Sequence, residues 1–477
     1  MKICLIEPGS PFLLDARVFP SLGLLQVGAS LELAGHDVKV EDLNGIEDWQ
    51  AVLDKTLIDS WDAFGISCTT PQYPQALNIL ERIKETVPSA RVIIGGPHVT
   101  GSPDSATMFD CVVRGDGESA ILDAIKPDAP KIIDQATNTV KGILSWLRPA
   151  RHLIDMDSYK YALRGVKGTS ILTEMGCPFS CGFCMGRALP YYRRVRVRNA
   201  DDVVAELEHL QDRYGIGAVT DFSDEINLLN EPLLALCKKL KPLGMKFRAF
   251  IKANLFSDLQ AEAMASAGFV ECCSGVESGS DRILGVMNKQ TTRKINKQFV
   301  DLCHKHGIRA KAFMSLGHPG ENYESALALK DWLVWAQPDD FDVTVITVYP
   351  ACPYWDDREF HGVSEDGRRV CRYVRKSLRP EENGATLFFE EVDYAKEFAW
   401  YKGRPKEYVS HVWTPDLSKE DLVRLRDSLE DDVRKDLKIP YPRRYSGDYL
   451  DGQESFDHSM GQGMSVQDSR TQILGLN

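Results

Sequence analysis

The chain has 477 residues, a formal net charge of −12 and a hydrophobic fraction of 43%. That length suits two or three domains with substantial cores, and the acidic balance argues against a nucleic-acid partner. The longest apolar runs fall short of a membrane span, and Glu7 and Pro8 end the first of them before a signal-peptide core could form. Twelve cysteines with no export signal point to a reducing compartment, so a cytoplasmic location is expected.

Over residues 1–130, short β-rich runs alternate with amphipathic helical patterns. Lys2–Glu7, Asp37–Leu43, Phe64–Cys68, Val92–Gly96 and Cys111–Arg114 read as strands. Helices are expected near Gly23–Ala34, Trp49–Asp59, Pro74–Thr86 and Ser102–Met108. Five strands with crossover helices predict a parallel, doubly wound α/β sheet of flavodoxin or Rossmann-like type. A ligand of such a sheet sits beyond the carboxyl ends of the strands. Here those ends carry Pro8-Gly9-Ser10, Ser67-Cys68-Thr69 through Tyr73, Gly95-Gly96-Pro97-His98 and Gly115-Asp116-Gly117-Glu118. Glycines end strands in many α/β domains. Small or hydroxylated residues at four ends of one sheet make a binding face the better reading, because they let a bulky cofactor approach the backbone.

Residues 131–165 mix Pro, Asp, Lys and Asn with little periodicity and read as a linker. The strand Thr169–Glu174 then delivers a loop, Gly176-Cys177-Pro-Phe-Ser-Cys181-Gly-Phe-Cys184, with spacing C-x3-C-x2-C. Three thiolates this close cannot span a fold, so they must grip something small. They are one ligand short of closing a zinc tetrahedron or a four-iron cluster. A structural zinc site would need a second cysteine pair or a histidine pair nearby, and a disulfide would leave one thiol over. The loop therefore reads as holding a [4Fe–4S] cluster through Cys177, Cys181 and Cys184, with one iron open to a further ligand.

The basic run Tyr191–Arg198 is either a solvated strand or a set of arginines neutralising an anionic group near the cluster. Asn199 should cap a helix whose first turn holds Asp201 and Asp202. Strand and helix patterns then alternate. Strands are expected at Gly217–Phe222, Lys246–Lys252, Val270–Gly275, Arg309–Leu316 and Asp342–Val348. With the strand before the cysteines they make six β/α units over residues 166–351, a partial barrel with its chemistry at the carboxyl ends. Those ends offer Asp224, Glu225, Lys252, Glu277, Ser278 and Glu321, although a lone acidic residue such as Asp224 could equally be a helix cap.

The form C-x3-C-x-aromatic-C, with Phe183 as the aromatic, resembles the radical S-adenosylmethionine (SAM) superfamily. Gly275-Val-Glu-Ser-Gly-Ser280 and Leu316-Gly-His-Pro-Gly-Glu321 resemble the SAM-binding stretches of its cobalamin-dependent branch. Phe19-Pro-Ser-Leu-Gly, Ile94-Gly-Gly-Pro-His98 and Val113-Arg-Gly-Asp-Gly-Glu118 resemble that branch's N-terminal domain. The resemblance implies that the open iron binds SAM, with Asp224 and Glu225 near its amine, Glu277 and Ser278 near its ribose and methionine, Phe183 by the adenine and Lys252 as a carboxylate partner. It also implies cobalamin above the first sheet. The nucleotide tail would lie near Gly95 and Gly96, the lower face over the Cys68–Tyr73 loop, with Ser67, Thr69, Gly115 and Gly117 as further contacts. The chain lacks the D-x-H-x-x-G motif whose histidine ligates cobalt, so no protein histidine is expected on the metal.

Residues 352–445 change character, with Trp355, Trp400 and Trp413 and helices expected near Tyr394–Trp400 and Lys419–Leu437. They read as a small cap domain, and residues 446–477 as a disordered tail. The resemblance implies a C-methyltransferase that cleaves SAM to a 5′-deoxyadenosyl radical and methylates an unactivated carbon from methylcobalamin. The acceptor would be a natural product, peptide or lipid, and flavodoxin or ferredoxin the electron donor. A cyclase or rearrangement enzyme with the same cofactors, or a non-catalytic cobalamin or iron–sulfur sensor, are the alternatives.

Overall fold

The computed structural model describes residues 1–10, 17–134, 146–397 and 408–440. The tail expected over 446–477, Trp400 and the end of the helix expected near it lie outside them. The chain divides into two compact units, one built on Met1–Lys160 and one on Tyr161 onwards, with short returns to the first at Ala188–Tyr191 and from Asp393.

Unit 1 begins with β1 (Lys2–Glu7), α1 (Leu22–Leu33), β2 (Asp37–Asp42), α2 (Trp49–Leu57) and β3 (Ala63–Ser67). It continues with α3 (Tyr73–Thr86), β4 (Arg91–Gly95), α4 (Pro97–Gly101), β5 (Cys111–Arg114), α5 (Gly117–Ala124) and β6 (Ile132–Asp134). All six strands are parallel, in the order β2-β1-β3-β4-β5-β6. Ile3, Leu5, Phe64, Val92 and Ile94 are buried, as continuous apolar runs must be in a sheet covered on both faces. The helix expected near Ser102–Met108 is replaced by α4 and a 3-10 turn at Pro103–Ala106, and two further elements differ from the sequence reading. Ile132–Asp134 is a sixth strand beside β5, although its three residues are too few to show a period and read as linker. The loop Gly115–Glu118 leads directly into α5.

Unit 2 opens with the antiparallel edge β7 (Ala162–Leu163), then β8 (Val166–Ile171), and a two-stranded ribbon of β9 (Glu174–Met175) and β10 (Arg196–Val197). Next come α6 (Ala200–Tyr214), β11 (Ala218–Asp221), α7 (Asn230–Leu240), β12 (Lys246–Phe250), α8 (Asp258–Ala267) and β13 (Phe269–Glu277). Then follow α9 (Asp281–Val286), α10 (Arg293–Lys305), β14 (Arg309–Leu316), α11 (Tyr323–Ala336) and β15 (Asp340–Val345). β8 and β11–β15 form a parallel sheet in chain order, a half-barrel of six β/α units. Four of its helices, α6, α8, α10 and α11, start on side chains that accept a backbone N–H: Asn199, Ser257, Thr292 and Asn322.

A short α12 (Pro353–Asp356) leads to an antiparallel sheet of β16 (Glu359–Val363), β17 (Arg369–Val374), β18 (Thr386–Glu390) and β19 (Val412–Trp413). The last helix, α13 (Lys419–Leu437), packs on α11 and β15. Its Arg434, buried, reaches Asp340 at 3.1 Å and the Phe341 carbonyl, tying the C-terminal part to the barrel.

Candidate cluster and cofactor site

The cysteine loop leaves the carboxyl end of β8 and is clamped from several elements at once. Gly176 has φ +96°, and a Cβ there would lie 2.0 Å from the Arg194 carbonyl, so only glycine fits. Gly176 N donates to Asp224 Oδ2 at 2.6 Å, and Cys177 N to the Tyr192 carbonyl at 2.9 Å. Gly182 N donates to the Met287 carbonyl at 2.9 Å, and Tyr354 N returns a bond of the same length to the Gly182 carbonyl. The Tyr354 ring covers Gly182 so closely that an added Cβ would come within 2.1 Å of it. Asp224 is thus not the helix cap it could have been: α7 starts six residues later, and the carboxylate holds the loop.

Under the loop lies a buried hydroxyl–carboxylate knot. Asp221 accepts from Thr173 N and Oγ1 and from Ser223 N (3.0 Å) and Oγ (2.7 Å), while Ser223 Oγ accepts from Glu174 N at 2.8 Å. The knot welds the start of the loop to the end of β11.

Charges then gather at the mouth. Burial raises the Glu225 carboxyl to about 7 despite Lys289 and Lys252 nearby. Burial, followed by the charges of Asp221, Asp224 and Glu225, raises Glu174 to about 8. Glu277 has the opposite balance. Burial would raise it, but Lys289 at 2.9 Å and Ser315 Oγ at 2.8 Å hold it below the usual range. Its φ of +66° turns the backbone sharply at the end of β13. Lys252 is buried, donates to the Lys289 carbonyl at 3.1 Å and lies 4.4 Å from the Phe179 ring centre. Burial, then Lys289, lowers its pKa. Phe183 lies between Lys289, 5.8 Å away, and the His318 ring at 5.3 Å. Ser278, buried, accepts from Ser280 N at 3.1 Å.

The sequence reading named Lys252 but missed Lys289, Ser315, His318 and Tyr354, which complete this mouth. His318 Nε2 lies 2.8 Å from Ser315 Oγ, and burial lowers its pKa to about 4, so it is neutral. His318 lies within the Leu316–Glu321 stretch already singled out, but Lys289, Ser315 and Tyr354 carry no local signal. Lys289 is a single lysine in a polar loop, and its partner lies twelve residues away on another element. Arg198, from the basic run, is buried in an ion pair with Glu206 at 2.6 Å.

The residues fit the groups the motifs imply. Burial pushes the half-buried Cys177 thiol up to about 12, with the charges of Glu225 and Cys184 acting in the same direction. Thiols so placed ionise only against a strong positive centre, which an iron–sulfur core provides. Among the described residues no three Cys, His, Asp or Glu side chains converge to hold a single ion. Carboxylates and two lysines facing one mouth suit a zwitterion.

In unit 1 the predicted contact residues lie at the ends of β3, β4 and β5. Cys68 is buried and tied by its N to the Gly95 carbonyl at 3.2 Å. Thr69 N and Oγ1 donate to Gln72 Oε1, at 2.9 and 2.7 Å. Gly96, at φ +99°, leaves no room for a Cβ, which would meet Cys68 O at 2.7 Å and Ser67 Oγ at 3.0 Å. Gly115 N donates to Thr100 Oγ1 at 3.2 Å, and Gly117 lies against Val27. Tyr73 is committed to packing: its ring stacks on His98 at 3.9 Å and its hydroxyl donates to the Ser105 carbonyl at 2.6 Å. His98 is buried and bonded to Ser105, and His36 sits at the opposite, amino edge of the sheet.

Comparison with known proteins gives the class. Residues 173–333 match the Radical SAM superfamily, and residues 16–125 match the B12 binding domain. The chain belongs to the radical SAM enzymes that carry a B12 binding domain. It is 28% identical over 394 residues to an uncharacterized methyltransferase of Pyrococcus horikoshii, covering 75% of this chain and 83% of that one. It is 24% identical over 326 residues to the anaerobic magnesium-protoporphyrin IX monomethyl ester cyclase of Cereibacter sphaeroides, covering 62% and 53%. Its fold is similar to that of the radical S-adenosylmethionine methyltransferase TsrM of Kitasatospora setae, solved with cobalamin and a [4Fe–4S] cluster. That match has a TM-score of 0.62, 18% identity and 74% of each chain covered. Among the described residues no helix is long and apolar enough to cross a membrane.

Proposed function

We propose that this chain is a cobalamin-dependent radical SAM methyltransferase that methylates an unactivated carbon of a natural-product, peptide or lipid substrate. The observation that carries the reading is the clamped cysteine loop at a mouth of paired charges, in a chain whose first unit has a B12-type sheet. When bound, the cluster and SAM supply one-electron cleavage of a carbon–sulfur bond, and cobalamin supplies a methyl group. Cys177, Cys181 and Cys184 would hold the cluster. Asp224 fixes the loop through Gly176, and Tyr354 presses on Gly182. Glu225 would accept from the SAM ammonium and Lys252 would face its carboxylate. The Glu277–Lys289 pair with Ser278 would position the ribose, and Phe183 would flank the adenine. Small residues at the ends of β3–β5 would admit cobalamin. An electron donor such as flavodoxin or ferredoxin would reduce the cluster.

Anaerobic reconstitution should give about four irons per chain and, with reductant and SAM, 5′-deoxyadenosine. Cys181→Ala should abolish both, and retained SAM cleavage would sink the proposal. The match to a cyclase favours a second reading, a cyclisation with no methyl transfer. SAM with a deuterated methyl separates the two, because only methyl transfer puts label in the product.

A further inference from the structure

At the end of β1 unit 1 holds a buried acid that no motif explains. Glu7 is 9% exposed, and among the described residues its Oε2 is a buried oxygen with no partner within hydrogen-bond distance. Its other oxygen, Oε1, accepts from Gln72 Nε2 at 3.1 Å. Gln72 cannot turn to serve Oε2 as well. Its amide also donates to the Pro8 carbonyl at 2.7 Å, and its own oxygen is held by Thr69 N and Oγ1. A buried polar atom left unpaired costs about 1–3 kcal/mol, so its retention at a strand end calls for a reason.

Topology supplies one. The strand order reverses between β1 and β3, and in such sheets the ligand crevice opens beyond the carboxyl ends at that switch point. Glu7 closes β1, while Cys68 and Gln72 follow β3, so they flank the crevice. We propose that Glu7 is a neutral acid that donates a hydrogen bond from Oε2 to the cobalamin seated at this switch point, with Gln72 as its positioning residue. The inference rests on the cobalamin reading above and adds a contact from the end of β1 to the cofactor.

The surroundings favour the protonated form. Burial is the largest effect and raises the carboxyl to about 8, opposed by Gln72, reinforced by Asp42 on β2 and opposed last by the Ser21 hydroxyl. The guanidinium of Arg17 is committed to Asp42 and Ser158. The Tyr159 hydroxyl also donates to Asp42, at 2.6 Å. The Cys68 thiol is itself pushed up by burial and adds no cation. Because Gln72 donates to Oε1, the proton belongs on Oε2, the oxygen with no partner within hydrogen-bond distance among the described residues. The geometry therefore presents an O–H, as in other sites where an apolar setting keeps a carboxylic acid neutral in order to donate.

The test is titration of the full-length protein with hydroxocobalamin by absorbance, between pH 6.5 and 9.5. Wild-type affinity should be level at neutral pH and fall above about pH 8 as Glu7 ionises. Glu7→Gln, which keeps a donor but cannot ionise, should bind within about threefold of wild type at pH 7 and lose the alkaline fall. Glu7→Leu should bind about tenfold more weakly, the loss of one buried hydrogen bond, again without the fall. Wild-type affinity in Glu7→Leu, or an alkaline fall retained in Glu7→Gln, overturns the assignment while leaving the cobalamin reading intact. Failure of the wild type to bind hydroxocobalamin overturns both.

Discussion

Glu277 and Glu7 each sit at the carboxyl end of a parallel strand, and burial acts on both in the same direction. At the end of β13, Lys289 and Ser315 answer it, and the Glu277 carboxylate stays ionised. At the end of β1, Glu7 meets no cation but only neutral donors, Gln72 at 3.1 Å and the nearby Ser21 hydroxyl, and the carboxyl is raised to about 8. One mouth is built from paired charges and the other from a neutral acid and small residues. The difference matches the ligands proposed for them: a zwitterion for the half-barrel, a large uncharged ring system for the first sheet. Removing one partner of a buried pair strands a charge, whereas neutralising an acid that is already protonated removes little.

The sharpest break of this contrast is Lys289→Met. It leaves Glu277 buried without its cation and should cost about 3–5 kcal/mol in chemical denaturation, while Glu7→Gln should cost less than about 1 kcal/mol. Equal costs would dissolve the comparison. Next in size is Gly182→Ala, whose methyl would press into the Tyr354 ring. About 1–3 kcal/mol is expected from overpacking, with less iron per chain after reconstitution. A control at Gly307, where a Cβ meets nothing within 4 Å, should keep full iron, although its φ of +70° brings some strain of its own.

The smallest effect lies in pH dependence, and the two acids have opposite signs. The folded pKa of Glu7 is above its ordinary 4.5, so its contribution to stability is full below about pH 4.5 and is lost as pH rises toward about 8. The folded pKa of Glu277 is below 4.5, so its contribution is present above that pH and is lost on acidification. Melting temperature followed from pH 3 to 9 should show Glu7→Gln flattening the fall between about pH 4.5 and 8 and Glu277→Gln flattening the fall below about pH 4.5. A swap of limbs between the two variants would refute both assignments.

How much of this was legible beforehand follows the range of the interactions. The strands Lys2–Glu7 and Arg309–Leu316 and the helices Tyr323–Ala336 and Lys419–Leu437 coincide with the elements expected from apolar runs and periodicity. Burial on one or both faces writes a period into the sequence. β6 escaped because three residues hold no period, and α5 because its glycine-rich start read as a strand end. Asp224 and Glu225 were visible as acids after a strand. That one of them holds the Gly176 amide was not, since the bond spans 48 residues.

By itself the sequence determined the three-cysteine loop and the doubly wound and half-barrel patterns, because cysteine spacing and side-chain periodicity are local properties of the chain. Only the tertiary structure decided which charges are answered. Lys289 reaches Glu277 across 12 residues, Gln72 reaches Glu7 across 65, and among the described residues Glu7 Oε2 is left with no partner within hydrogen-bond distance. Solvation of a buried group depends on what the fold brings within about 3 Å of it, and no local pattern encodes that.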